Sequence, residues 1–441
     1  MDDVRVWRIS AGESEGAQRR AAGFLAERGL RAGDRVALSV PTSADLLAMV
    51  LGAARAGVVP VVLNPALLPD ERARLVADAD PTLVVDDARV LCEALAGGPA
   101  VEISPHPLTR PMHYTSGTTG APKGVWSGLL GEDGARRLFE DERDLWAFSS
   151  ADVLMLCSPL HHSAPIRFAA STLLSGGEVV LLERFDRAAV VRAIEEHRPT
   201  AAFVVPSHLQ RLFAAGAALP DTSSFRLLAH AGEPCPPVLK HRAMESFPDG
   251  AVWEFYGSTE GQFTVCSPAE WSSHPGSVGR ARPQRRIEVD PGGQIWCGVP
   301  AWARFEYWRD PEKTAAAWSG DAFTVGDLGR LSDGYLYIDG RRDDLIISGG
   351  VNVYPAEVEQ ALSAVDGIVE LAAFGVTDER WGQRVCLAVV GDAPDDELLA
   401  AARASLAPYK RPKGIYRVDA LPRTGTGKLR RSAISGALGL E

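Results

Sequence analysis

Tyr114-Thr-Ser-Gly-Thr-Thr-Gly-Ala-Pro-Lys-Gly-Val125 follows a predicted strand and packs four hydroxyl side chains, three glycines and one lysine into the eleven residues after its tyrosine. Glycines let backbone N–H groups approach an anion, hydroxyls donate to phosphate oxygens, and the lysine neutralises charge. The string is not a Walker A loop. Lys123 is preceded by Pro122 and followed by Gly124, where that loop carries Ser or Thr. A polar surface turn shares this composition, but the whole string is far more specific than a turn. A phosphate-bearing ligand is the expectation.

On both sides of the loop the chain alternates between short apolar runs and helical spacing. Before it, strands are expected at Arg35 to Val40, Val58 to Leu63 and Thr82 to Val85, with a helix at Ala44 to Ala56 and another after Pro69. After it, strands are expected at Val153 to Cys157, Glu178 to Leu182, Ala201 to Val205, Arg226 to Ala231 and Val252 to Tyr256. Fully apolar short runs between amphipathic helices imply parallel strands covered on both faces. The fold class is therefore α/β, with two sheet blocks side by side.

Beyond Trp271 the grammar changes. Short strands at Arg286 to Val289, Gln294 to Cys297, Ala303 to Tyr307 and Tyr335 to Ile338 alternate with Gly, Pro and Asp turns, which points to a small antiparallel β-barrel-like part. Gly340-Arg341-Arg342-Asp343-Asp344 then precedes a mixed α+β tail. There Pro355 to Val365 reads as a helix with proline in its first turn, and Ile368 to Val376 and Val385 to Val390 read as strands. The domain boundary is placed at Arg342/Asp343, giving a large domain over 1–342 and a small one over 343–441.

Composition bounds the function. A chain of 441 residues exceeds one usual hydrophobic core. Its net charge of −11 disfavours a nucleic-acid or anionic-membrane partner. The six cysteines form no C-x-x-C pair, so they read as reduced residues of a cytosolic protein. Met1-Asp2-Asp3 is acidic where a secretion signal would be basic. The longest apolar stretch, Leu46 to Leu63, is broken by Arg55, Gly57 and Pro60, so no membrane span is expected.

Three further motifs carry chemistry. Glu254-Phe-Tyr-Gly-Ser-Thr-Glu260 ends the last long strand of the second block, where open α/β sheets bind ligands. Its aromatic, hydroxyl and carboxylate groups can stack a base, bind phosphate and hold Mg²⁺. Gly326 to Glu357 is a long Gly/Asp/Arg-rich string, and Leu421-Pro-Arg-Thr-Gly-Thr-Gly-Lys428 fits a lysine delivered to an anionic centre.

In this order and at these distances the four motifs resemble the adenylate-forming superfamily of acyl-CoA synthetases, non-ribosomal peptide adenylation domains and beetle luciferases. The resemblance covers nearly the whole chain. It implies that Thr115, Ser116, Gly117, Thr118, Thr119, Gly120 and Lys123 form the loop for the ATP β- and γ-phosphates. Gly232, Glu233 and Pro234 would lie along the adenine, and Tyr256 would stack on it, with Gly257 and Ser258 in the same nucleotide-binding turn. Thr259 corresponds to the α-phosphate contact and Glu260 to the Mg²⁺ ligand. Asp327 matches the aspartate of the ribose hydroxyls, Arg341 a nucleotide-contacting arginine and Asp343 the hinge. Gly349 and Gly350 match the loop beside the coenzyme A tunnel, where a side chain would obstruct a narrow path. Lys428 is similar to the catalytic lysine of adenylation.

The resemblance implies an ATP- and Mg²⁺-dependent acid–thiol ligase that makes an acyl adenylate and then a coenzyme A thioester. His161 and His162 stand where amino-acid-activating relatives carry an Asp, so a free amino acid is disfavoured, and His162 aligns with a histidine that gates the acyl site. A hydrophobic acid is expected between His161, His162, Phe168, Val205, His208, His230, Ala231, Gly261 and Phe263. An acyl-AMP ligase serving an acyl carrier protein and an aryl or polycyclic acid–CoA ligase are the alternatives, and a homodimer is an open assembly state. Two features depart from the family. Only about thirty residues separate Val85 from Tyr114, and the chain begins close to its first helix. Arg403 to Arg431 holds nine basic residues and one acid, a field that would attract pyrophosphate or coenzyme A phosphates.

Overall fold

The computed structural model describes residues 3–115, 122–213, 219–423 and 429–440. It divides into two compact units. The first comprises Met1–Thr115, Pro122–Ile287 and Cys297–Phe323; the second includes Glu288–Trp296 and Thr324–Glu441.

In the first unit the strands run β1 (Val6–Ser10), β2 (Arg35–Leu38), β3 (Val59–Val62), β4 (Leu83–Val85), β5 (His113–Thr115), β6 (Lys123–Trp126), β7 (Val153–Leu156), β8 (Glu178–Leu182), β9 (Ala201–Val204), β10 (Leu227–His230) and β11 (Val252–Glu254). They build the two expected blocks: a three-stranded parallel sheet ordered β3-β2-β4, and a six-stranded sheet ordered β1-β8-β7-β9-β10-β11. Every residue of β3, β9 and β10 is buried, as strands covered on both faces must be. The edge strand β1 is the exception to the parallel pattern. It runs antiparallel to β8, from Val6 opposite Leu182 to Ser10 opposite Glu178, and was not among the sequence expectations.

The helix Ala11–Glu27 follows β1 directly, closed by a capping box in which Ser10 and Glu13 satisfy each other's backbone N–H groups. It packs on the helix Ala44–Arg55 at a separation set by a glycine. A Cβ on Gly52 would stand 2.4 Å from the Gln18 carbonyl oxygen and 2.9 Å from the Ala21 Cβ. Arg55, almost fully buried, anchors the same face. Its guanidinium bonds Glu15, donates to Gln18 Oε1 at 2.8 Å and reaches the Ser104 carbonyl at 2.7 Å. Ser104 belongs to the shortened segment between β4 and β5, so the first block is tied down across its trimmed side. One continuous apolar core runs from Leu46, Leu47 and Met49 to Leu156, Phe168, Phe203 and Phe255. It joins both blocks.

A buried carboxylate ties together the amino ends of β7, β9 and β10 in the larger sheet. Asp152 accepts from Arg226 Nε and Nη2, both at 2.7 Å, from Thr200 Oγ1 at 2.8 Å and from the Ser149 N–H at 2.8 Å. Burial alone would raise its pKa, but the Arg226, Thr200 and Ser149 contacts outweigh burial and lower it.

The second unit holds an antiparallel hairpin, Asp327–Ser332 with Tyr335–Arg341, and a five-stranded sheet. In that sheet Val351–Val353, Ile346–Ser348, Gly382–Gly391 and Ile368–Asp378 follow one another, and Gly414–Arg417 adds parallel to Gly382–Gly391. The helices Pro355–Leu362 and Asp395–Ser405 supply Val358, Leu362, Leu398 and Ala402 to its core. The expected boundary at Arg342/Asp343 thus lies inside this unit. The hairpin and Glu288–Trp296 fall on the same side of the division, linked by the bridge of Gln294 with Leu328 and by the Gly329 N–H to Gly293 carbonyl bond of 2.8 Å. No helix among the described residues is long and apolar enough to cross a membrane.

Candidate active site

The site is built at the carboxyl ends of β9, β10 and β11 and on the hairpin β5–β6. Antiparallel pairing puts Thr115 opposite Lys123, so the two ends of the phosphate-loop motif stand side by side. Ser116, Gly117, Thr118, Thr119 and Gly120 lie outside the described residues, as does Lys428. Behind the hairpin the Tyr114 hydroxyl donates to Asp78 Oδ2 at 2.6 Å.

On its other edge β6 pairs with Glu306–Tyr307, with Tyr307 opposite Val125. That pairing carries the Tyr307 ring under the lysine. Lys123 Nζ lies 5.0 Å from the ring centroid, and the Tyr307 hydroxyl donates to Glu260 Oε1 at 2.9 Å. The phosphate-loop lysine and the expected Mg²⁺ ligand therefore meet across one aromatic side chain. Sequence reading assigned no role to Tyr307, because only the pairing of distant strands puts it there. Burial first, and then the neighbouring Lys313 ammonium, pull the Lys123 pKa down to about 8.

Glu260 is held by its turn. The Ser258 N–H donates to the Gly261 carbonyl at 2.8 Å. A Cβ on Gly257 would come within 2.8 Å of Gln262 Cα, and one on Gly261 within 3.0 Å of the Phe323 ring. The two glycines thus permit the tight turn that carries Thr259 and Glu260. Tyr256 leans on the fully buried Phe263 ring, centroids 4.7 Å apart, which fixes its plane. Magnesium usually takes one or two carboxylates plus substrate phosphates and water. Glu260, with one oxygen steadied by a phenol and a phosphate-loop lysine nearby, fits that pattern. Among the described residues no group of three His, Cys, Asp or Glu side chains could cage a metal without phosphate.

At the end of β10 the chain turns through Ala231 and Gly232, the latter at φ +92°, a conformation that glycine adopts without strain. Glu233 accepts from the Ser207 N–H at 3.1 Å and from its hydroxyl at 3.3 Å, tying this turn to the helix that follows Val205. Pro234 continues the same turn. Beneath it lies a buried triad. Lys240, with no exposed surface, has its Nζ 2.7 Å from His230 Nε2 and 3.0 Å from Glu254 Oε2. His230 was expected to line the acyl pocket, but the structure encloses it completely on Lys240. Phe168 is likewise fully enclosed, packed among Trp146, Phe148, Phe203 and Phe255. Both back the wall and present no surface to a ligand here.

Phe263, also expected in the pocket, is fully buried between Tyr256 and Phe323. His162 immediately precedes the helix Ser163–Leu174, and the His161 and His162 rings lie 4.5 Å apart. His208 stacks on Phe185 at 4.5 Å, with its Nδ1 3.7 Å from the Cys157 thiol. Burial pushes His161 down to about 3 and His208 down to about 4. His113, buried on β5, is also pushed down to about 3. All three are neutral at pH 7. Because the unfolded imidazoles titrate near 6.5, stability is expected to be full above that pH and to fall as the pH drops toward 4. The loss for each histidine is at most about 1.4 kcal/mol per pH unit. Urea titrations from pH 7.5 to 4.5 check this; a flat profile would contradict the buried neutral histidines.

In the second unit Asp327 and Arg341 face each other across the hairpin, with Arg341 Nε 3.1 Å from Asp327 Oδ1. Asp343 sits in the one-turn helix Arg342–Asp344 that follows. Gly349 and Gly350 take φ of +60° and +78°. A Cβ on Gly349 would stand 3.0 Å from the Trp381 ring, whereas one on Gly350 would meet nothing within 4 Å. The basic tail is less of a field than its composition implied. Lys410, Arg417, Arg423 and Arg431 pair with Glu357, Asp395, Glu370 and Glu359, which cancels much of the charge offered to a phosphate.

The AMP-binding enzyme family model matches residues 7–300, and the AMP-binding enzyme C-terminal domain model matches residues 357–428. A long-chain-fatty-acid–CoA ligase of Mycobacterium tuberculosis is 32% identical over 94% of this chain and 90% of its own length. A feruloyl-CoA synthase of Amycolatopsis is 34% identical over 95% of this chain and 92% of its own. Among solved structures, the o-succinylbenzoate CoA synthetase of Bacillus subtilis, in complex with its acyl-adenylate intermediate, superposes with a TM-score of 0.85 at 27% identity. It covers 96% of this chain and 92% of that one.

Proposed function

The chain belongs to the AMP-binding enzyme family, and from that premise we propose that it activates a carboxylic acid with ATP and transfers the acyl group to coenzyme A. The observation that carries this reading is the meeting of Lys123 and Glu260 over Tyr307. A cation and a carboxylate brought together beside the β5–β6 hairpin support phosphate and Mg²⁺ binding there.

In the first half-reaction the acid's carboxylate attacks the α-phosphorus in line and pyrophosphate leaves. Thr259 contacts the α-phosphate, and Lys123 meets the departing β- and γ-phosphates. Mg²⁺ on Glu260, when bound, spreads the charge that accumulates on the phosphate oxygens. Tyr256 stacks the adenine, with Gly232, Glu233 and Pro234 along its edge, while Asp327 accepts the ribose hydroxyls. Lys428 bridges the carboxylate and the nucleotide. In the second half the segment beyond Asp343 turns, Lys428 withdraws, and Gly349-Gly350 flank the path of the coenzyme A thiol. The thiol then attacks the acyl carbon and AMP leaves.

The acid is hydrophobic and lacks an α-amine. His161, His162 and His208 offer no carboxylate to pair with an ammonium, and burying one unpaired is costly. The neutral imidazoles of His161 and His208 also accommodate an aryl acid with hydrogen-bonding groups, the class named in the feruloyl and succinylbenzoate relatives. A cytoplasmic location belongs to the same proposal; an acyl carrier protein in place of coenzyme A is the alternative acceptor, and a homodimer is an open assembly state.

The deciding experiment is pyrophosphate release across amino acids, short acids, medium and long fatty acids, benzoates and polycyclic acids, with and without coenzyme A. Release should be greatest with a hydrophobic or aryl acid and should turn over only with coenzyme A. Preference for an amino acid, or for acetate over every larger acid, contradicts the proposal. Asp343→Pro is expected to trap one arrangement, because proline fixes φ near −65° and a hinge works by changing its dihedrals. One half-reaction should survive and the other vanish; full turnover in that variant would move the hinge elsewhere.

A further inference from the structure

Lys313 has no role in the chemistry described so far, yet its placement is unusual. It lies in the first turn of the helix Pro311–Ala317, and its backbone N–H is capped by Asp310 Oδ1 at 3.0 Å. Two links fix this turn against the phosphate-loop hairpin. Tyr307 pairs with Val125, and the Trp308 N–H donates to the Gly124 carbonyl at 2.8 Å. Thr314 Oγ1 accepts from the Tyr307 N–H at 2.9 Å, which ties the helix back to the same strand.

The first turn of this helix consequently stands beside β6, on the strand of Tyr307, whose ring lies under Lys123, and burial together with the Lys313 ammonium lowers the proton affinity of Lys123. The Lys313 ammonium has its own carboxylate, Asp310 Oδ2, 3.7 Å away. Two ammonium groups near each other repel; Asp310 and Glu260 offset part of that repulsion, and a polyanion bound between the two would offset far more. Lys313 also keeps 40% of its side-chain surface exposed, so it can reach an arriving ligand.

We propose that Lys313 is a second cation of the pyrophosphate site, closing with Lys123 on the β- and γ-phosphates of ATP. This rests on the adenylation reading above and adds a residue to it. As the acid's oxygen bonds to the α-phosphorus, the bond from that phosphorus to the bridging oxygen breaks, and its electron pair goes to the leaving pyrophosphate. The extra negative charge appears at the end where Lys123 and Lys313 meet. Lys313 thus makes the site prefer a triphosphate or pyrophosphate over AMP, whose single phosphate does not reach it.

Calorimetric titration of the full chain with Mg·ATP, pyrophosphate and AMP tests this without knowledge of the acid. Lys313→Gln should weaken Mg·ATP and pyrophosphate binding by about tenfold or more, the scale of one charge-assisted contact. It should leave AMP unchanged, and Lys313→Arg should restore most of the loss. Binding of Mg·ATP and pyrophosphate by Lys313→Gln at wild-type strength overturns the assignment and leaves the adenylation reading standing. Equal weakening of AMP overturns it too, since that marks a structural role. If the wild-type chain binds none of the three ligands, the adenylation reading itself falls, and the assignment with it.

Discussion

Lys428→Ala is expected to reduce acyl-adenylate formation by about 10²–10³, the loss that follows removal of one preorganised charge at a reacting centre. Thioester formation from supplied acyl adenylate should stay near the wild-type rate. The asymmetry arises because Lys428 stands at the α-phosphate only while the carboxylate attacks it. In the second half negative charge builds on the departing AMP, but Lys428 has by then withdrawn with the segment beyond Asp343. The C-terminal family model ends on this residue, at the close of the Gly-Thr-Gly-Lys string. Single-turnover quench experiments separate the two steps. Equal loss in both halves would mean that Lys428 supports the fold or the nucleotide as a whole.

Gly350→Leu should give the opposite split. Pyrophosphate release is expected to survive, while coenzyme A thioester formation falls by about 10², the cost of misplacing a reacting group by an ångström or so. The space beside Gly350 is open, so the leucine side chain would occupy it rather than clash with the protein. The φ of +78° adds backbone strain of about 1–2 kcal/mol for any L-residue. Gly350→Ala, which carries the strain without the bulk, is therefore the control. Thioester formation by Gly350→Leu at the rate of Gly350→Ala would place the thiol path elsewhere.

The α/β frame was legible because its strands are short apolar runs, and burial on both faces leaves that signature in any single segment. Glu178–Leu182 falls where the residues placed it. The strand β1 was not legible, because Val6–Ser10 mixes exposed and half-buried positions and exists only by pairing with β8. The nucleotide motifs could be read because each is a contiguous string with its own chemistry. What joins them could not. Tyr307 reaches Glu260 across 47 positions, and the helix that carries Lys313 stands beside the Lys123 strand only because two distant strands pair. His230 looked like a pocket residue until Lys240, ten positions away, closed over it. In the tail, charge counted along the chain overstated the field, since Arg431 and Arg423 find carboxylates 72 and 53 positions away.

The central claim is that an acid and ATP react on this chain before any thiol arrives. Exchange of labelled pyrophosphate into ATP, measured without coenzyme A, tests it most directly. The account predicts exchange that depends on a hydrophobic or aryl acid and is lost in Glu260→Gln. Exchange absent with every acid although Mg·ATP binds, or present only when coenzyme A is added, would contradict it.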